Sequence, residues 1–183
     1  MKLQPPSFQY KRHDPFQTVL IDPPWLERGG GKIKRGADRH YPILKTKTIL
    51  SVILKCKHWS DIADNSHLYM WTTNNFLADA LWLMDALDYR YVTNVVWVKK
   101  KIGLGQYFRG QHELLLFGTR GKKPTQPRTE RKDLPSVIHA PKGRHSAKPE
   151  ESYELIQSRS KGPYLELFSR SLRKGWVTWG NEI

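Results

Sequence analysis

Thr18-Val19-Leu20-Ile21 is a β-branched and apolar run halted at once by Asp22-Pro23-Pro24. It reads as a buried strand that ends in a turn. His67 to Trp71, Tyr91 to Val98, Glu113 to Phe117, Tyr164 to Phe168 and Trp176 to Trp179 read as further strands, with a short one at Val137 and Ile138. Between them, Thr46 to Lys55 and Asn75 to Leu87 carry apolar residues at helical spacing; Phe76, Leu77, Ala80, Leu81, Met84 and Leu87 make one apolar face. Thr46 or Thr48 and Asn74 or Asn75 are the candidate N-caps. A third helix starts at Pro149, with Glu150 and Glu151 in its first turn, and ends near Lys161-Gly162-Pro163. Strands alternating with helices predict an α/β sheet covered on both faces. The 183 residues suffice for one domain and show no internal repeat or linker.

Charge narrows the class of partner. The net charge is +14, from 31 Lys and Arg against 17 Asp and Glu, spread along the chain and not gathered in a tail. A folded basic surface points first to nucleic acid and second to an acidic membrane. Two basic loops are expected, about residues 26–40 and 119–144, with Arg28, Lys32, Lys34, Arg35 and Arg39 in the first and Arg120, Lys122, Lys123, Arg128, Arg131 and Lys132 in the second. Contacts from such loops to phosphate would give affinity without sequence choice. Cys56 is the single cysteine, which excludes an intramolecular disulfide and a cysteine-cluster zinc site. No pair among the seven histidines has a persuasive metal-ligand spacing, so no metal is assigned. Met1 to Pro6 lacks the apolar run of a signal peptide, and no stretch is long and apolar enough for a membrane helix. The expectation is a soluble intracellular protein, cytoplasmic in a bacterial or phage-infected cell, or nuclear in a eukaryote.

In an open α/β sheet, ligands bind beyond the carboxyl ends of the strands, where Asp22-Pro23-Pro24-Trp25 would sit. An ionised Asp22 only accepts hydrogen bonds, and the Pro23 carbonyl is a second acceptor; together they suit an NH2 group and not a keto oxygen. The prolines restrict the turn, so both acceptors are held in place beforehand. Trp25 offers a flat face on which an extruded base would stack. Asp-Pro-Pro is also an ordinary strand-ending turn.

Asp22 to Trp25, taken with Glu166-Leu167-Phe168-Ser169-Arg170 and with Gly175 to Glu182, resembles the MT-A70 family of adenine N6-methyltransferases, in one order from about Phe16 to the C-terminus. The resemblance implies a Rossmann-like methyltransferase sheet in permuted order, with the catalytic motif ahead of the cofactor segment, and S-adenosylmethionine as methyl donor. It implies that Asp22, Pro23, Pro24 and Trp25 are catalytic. Asp22, Ser146, Lys148, Glu166, Phe168, Arg170, Asn181 and Glu182 would hold the cofactor, and Trp25, Tyr41, Lys99, Arg109, His112 and Glu113 would lie near the substrate. Phe168 is equally ordinary core, Arg170 and Glu182 surface charge, and His112 a structural histidine. No secure counterpart exists for the family's acidic cofactor contact ahead of the catalytic strand; Asp14 is the candidate. The compact form favours DNA as substrate, acted on by a monomer or homodimer, with grip on the substrate supplied by the chain's own loops or by a protein partner. RNA, the N4 amine of cytosine, and a silent nucleic-acid-binding subunit are the alternatives.

Overall fold

The computed structural model describes residues 14–26, 44–103, 107–123, 129, 133–143 and 147–180. In chain order these form β1 (Phe16–Ile21), α1 (Thr46–Leu54), β2 (Ile62–Thr72), α2 (Leu77–Ala86), β3 (Arg90–Val98), β4 (His112–Arg120), β5 (Val137–His139), α3 (Glu150–Arg159), β6 (Tyr164–Leu167) and β7 (Trp176–Trp179). The strands make one seven-stranded sheet in the order β5-β3-β4-β2-β1-β6-β7. β1 runs parallel to β2 and β6, β6 to β7, and β3 to β5, whereas β4 is antiparallel to both β2 and β3. β4 thus points opposite to the other six. The mixed sheet with helices on both faces agrees with the α/β class expected from the sequence, and the strand carrying the Asp-Pro-Pro-Trp turn is the first among the described residues and interior in the sheet.

Side chains alternate across each strand, so the sheet has two different faces. Val19, Ile21, Leu68, Met70, Leu116, Leu165 and Leu167 pack on one side against Ile49 and Ile53 of α1 and Ala80, Leu83 and Met84 of α2. Leu20, Tyr69, Trp71, Val95, Trp97, Leu115 and Tyr164 pack on the other against Tyr153 and Ile156 of α3. Gly118 is needed where α2 approaches, because a Cβ there would lie 2.4 Å from the Met84 methyl.

The element boundaries differ from the sequence reading in a few places. β2 begins at Ile62 rather than His67, because Phe16 of β1 pairs with Ile62 before the register shifts. Neither Asn74 nor Asn75 caps α2: both lie in a 3-10 turn, Asn74–Phe76, and Phe76 takes the cap position without a side-chain bond. Lys45, not a threonine, precedes α1, and Thr46 Oγ1 donates instead to Asp79 Oδ1 on α2 at 2.5 Å. Pro149 stands at the cap position of α3, one residue ahead of the helix. Among the described residues no helix is long and apolar enough to cross a membrane.

Candidate active site

The chain crosses from β1 towards β2 on one side and from β6 towards β7 on the other, so the carboxyl ends of β1 and β6 form the point where the winding reverses. Such a point opens a crevice in an α/β sheet. Asp22 follows β1 directly, and its N–H donates to the Leu167 carbonyl at the end of β6 at 3.3 Å. Phe168 then turns the chain with φ of 60°, a left-handed conformation that side chains other than glycine rarely adopt and that clusters at functional sites. Ser169 N–H donates to the Trp179 carbonyl at 3.2 Å, and the chain passes so close that a Cβ on Gly180 would lie 2.1 Å from the Ser169 carbonyl oxygen.

The turn after Asp22 is held by its own backbone and by Trp25. Trp25 N–H donates to the Pro23 carbonyl at 2.8 Å, and Leu44 N–H to the Pro24 carbonyl at 2.8 Å. The Trp25 indole N–H donates to the Trp71 carbonyl at 3.0 Å, and its ring stacks on Phe76 at 5.6 Å. Only 7% of Trp25 is exposed. One face of the expected stacking platform is therefore taken, and the indole anchors the turn from within the core. The Pro23 carbonyl, expected as an open acceptor, already receives one N–H and keeps a second lone pair.

Around Asp22 the structure brings together a row of alternating charges. Lys148, two residues before α3, places its ammonium 2.8 Å from Asp22 Oδ1 and 3.6 Å from Glu113 Oε2. Lys99, just past β3, lies 2.5 Å from Glu113 Oε1. Arg170, after β6, approaches Asp22 to 4.0 Å. The two ammonium groups also sit over indole rings, Lys148 over Trp71 and Lys99 over Trp97. Burial pushes the Glu113 carboxyl up, but Lys148 and Lys99 outweigh it and hold it below the ordinary value. Three cations thus surround two carboxylates.

A second polar group lies deeper on the same face. Glu166, on β6, is buried and accepts the Tyr153 hydroxyl at 2.8 Å, while Arg173 lies over the Tyr153 ring at 3.4 Å and pairs with Glu150. Burial raises the Glu166 carboxyl above its ordinary value, and the Asp22 charge adds to the rise. Glu166 thus bonds to α3 through Tyr153 while remaining close enough to Asp22 to feel its charge. The Tyr153–Glu166–Arg173 contact escaped the sequence reading, since the three residues come from α3, β6 and the β6–β7 connection.

Not every expected site residue joins the cluster. Arg109 lies out on the β3–β4 connection, where its Nε donates to the Gly103 carbonyl at 2.8 Å. His112 is exposed at the start of β4, on the opposite side of that strand from Glu113. Asp14 precedes β1 at its amino end and is exposed. A six-residue strand, roughly 20 Å long, separates Asp14 from Asp22, which rules it out as the acidic contact at this crevice. Arg120 is a further correction. It ends β4, which runs backwards, so it sits at the sheet edge opposite Asp22, donating to the Ile62 and Ala63 carbonyls over the Tyr89 ring. Lys123 is held at that same far edge by Asn65, and Lys122 lies beside it. Tyr41, Ser146, Asn181 and Glu182, the first basic loop from residue 27 onward, and Arg128, Arg131 and Lys132 lie outside the described residues.

Sheet order and a charged carboxyl-end crevice define a methyltransferase-type α/β protein. The MT-A70 family model matches residues 16–182, and the chain belongs to that family, whose methyltransferases depend on S-adenosylmethionine. The type II methyltransferase M.MunI of Mycoplasma sp is 31% identical over 92% of this chain and 78% of its own length. The human N(6)-adenine-specific methyltransferase METTL4 is 27% identical over 97% of this chain. The N6-methyladenosine RNA methyltransferase MTA1 of Cryphonectria parasitica is 25% identical over 92% of it. The chain spans 39% of the METTL4 relative and 52% of the MTA1 relative.

Proposed function

We propose that this protein transfers a methyl group from S-adenosylmethionine to the N6 amine of adenine in DNA. The observation that carries the reading is the Asp22 carboxylate, fixed at the winding reversal between β1 and β6 and flanked by Lys148 and Arg170. The residues present fit the cofactor in kind: Lys148 and Arg170, beside Asp22, are cations that would pair with its amino-acid carboxylate, and Gly180 admits no side chain beside Ser169. Lys148 and Arg170, with Phe168 and Gly180 beside them, are the described residues that would hold it. When bound, the cofactor supplies a methyl group on a sulfonium, a good leaving group.

The adenine amine is a weak nucleophile because its lone pair is delocalised into the ring. Asp22 accepts one amine hydrogen, and the remaining lone pair of the Pro23 carbonyl takes the other. Holding both hydrogens favours a tetrahedral nitrogen whose lone pair stands out of the ring plane, and on methylation that nitrogen gives up one of its hydrogens as a proton to solvent. The restraint is present beforehand, because Trp25 and Leu44 already fix the two proline carbonyls. Glu113 and Lys99 act through Lys148, keeping its ammonium in place beside Asp22. By family resemblance, Ser146, Asn181 and Glu182 are proposed to contact the cofactor and Tyr41 the substrate. The protein acts in the cytoplasm of a bacterial or phage-infected cell, as a monomer or homodimer.

The test is product identification. Matched DNA and RNA oligonucleotides are treated with protein and S-adenosylmethionine, digested to nucleosides and analysed by mass spectrometry. N6-methyldeoxyadenosine is expected. The relative named for RNA favours a second reading, in which N6-methyladenosine forms on RNA alone. N4-methylcytosine, or no product while the methyl donor is bound, would overturn the proposal.

A further inference from the structure

The described arms of the hairpin between β3 and β4, residues 99–103 and 107–111, are tied by Lys99 N–H to the Gln111 carbonyl at 2.8 Å and by Gly103 N–H to the Gly110 carbonyl at 2.7 Å. The Gln111 amide closes the pair by donating to the Lys99 carbonyl at 3.1 Å. Because β3 runs parallel to β1 by way of the sheet order, the hairpin leaves the sheet at the edge that carries Asp22. Its base joins the cluster directly, since Lys99 pairs with Glu113, Glu113 with Lys148, and Lys148 with Asp22.

On this hairpin Tyr107 is 94% exposed and Phe108 is 92% exposed, whereas the next most exposed aromatic among the described residues, Trp82, reaches 44%. Two adjacent rings in water contribute nothing to the core and mark a contact made with something else. The chemistry of that partner follows from the neighbours. From Lys99 to Gln111 the chain holds Lys99, Lys100, Lys101 and Arg109 and no acidic residue. Unsupported rings among cations match a strand of nucleic acid, in which bases stack on aromatic faces and phosphates meet the charges.

We propose that this hairpin is a nucleic-acid contact in which Tyr107 and Phe108 stack on bases beside the one presented to Asp22, while Lys100, Lys101 and Arg109 meet the flanking phosphates. The inference rests on the nucleic-acid reading of the site and names the element that grips the strand. It replaces residues 120–123, at the far edge of the sheet, as the source of that grip.

The test is a Tyr107→Ala, Phe108→Ala double variant of the full chain, with binding of a fluorescent oligonucleotide read by anisotropy and methyl transfer read separately. Oligonucleotide affinity should fall about tenfold or more, while S-adenosylmethionine affinity and the melting temperature stay at wild-type values. Tyr107→Trp with Phe108→Trp should restore binding, as stacking requires and charge alone does not. A double variant that binds oligonucleotide as tightly as wild type overturns the hairpin contact, and so does one that changes only the sedimenting mass. A wild type that binds through these rings but methylates nothing would instead sink the functional reading and leave the contact standing.

Discussion

On one face of the sheet, aliphatic side chains of β1, β2, β4 and β6 meet α1 and α2. On the other, Tyr69, Trp71, Trp97, Tyr153, Tyr164 and Trp176 meet α3, and the charges of the site are threaded among them. Asp22, Glu113 and Glu166 all follow the strand parity of this aromatic face. His67, Tyr69 and Ser160 form a buried hydrogen-bonded group there too, at 2.6 and 2.8 Å. Aromatic rings present polarisable faces and N–H or O–H groups, so they can border buried charge where aliphatic chains cannot. The aliphatic face holds the strands in place, and the aromatic face carries the chemistry.

If that division is right, substitutions on the two faces should fail differently. Leu83, fully buried on α2, is expected to give the largest loss of stability: Leu83→Ala should cost about 2–5 kcal/mol in urea unfolding and leave kcat of the folded protein unchanged. A changed kcat would break the comparison. Glu113→Gln comes next, at roughly 1.5–3 kcal/mol near neutral pH, because it removes a charged partner of both Lys99 and Lys148. The Glu113 carboxyl is held below its ordinary value of 4.5, so its contribution is present above that pH and is lost as pH falls through the lowered value. Wild type and Glu113→Gln should therefore converge in acid, which thermal unfolding across pH would show. Glu166 has the opposite sign and the smallest effect. Its carboxyl is raised mainly by burial, so its stabilising contribution is complete below 4.5 and is lost as pH rises through the raised value. Glu166→Gln should then stabilise the fold near neutral pH and change nothing in acid, as the same thermal unfolding series across pH would show. A loss at neutral pH would show that the ionised carboxylate is the form the fold prefers.

The aliphatic face was the more legible of the two. The helical spacing of α1 and α2, the two helices that cover this face, announces itself by periodicity, which is a property of neighbours in the chain. β2 was read short because Ala63, Asp64 and Asn65 carry no strand signal, and pairing with β1 extends the strand past them. The site was legible as residues and not as contacts. Asp22, Lys99, Glu113, Lys148 and Arg170 were each singled out, yet their alternation depends on how β3, β4 and β6 register beside β1. Strand direction is likewise invisible in the sequence: Arg120 reads as part of a basic phosphate-binding loop, yet β4 runs backwards and carries it to the end of the sheet away from Asp22. Trp25 was read by its flat face, while its indole N–H, which needs a buried acceptor, decided its place.

The central claim is that Asp22 grips an amine so that its nitrogen can take the methyl group. It is tested most directly by single-turnover transfer from labelled S-adenosylmethionine to oligonucleotide adenine, comparing wild type with Asp22→Asn. The amide keeps the shape of the carboxylate and replaces one acceptor with a donor that an NH2 group cannot satisfy. Transfer should fall about 100-fold to 1,000-fold with oligonucleotide binding retained. Equal rates in the two proteins, with both saturated by methyl donor, would contradict the account.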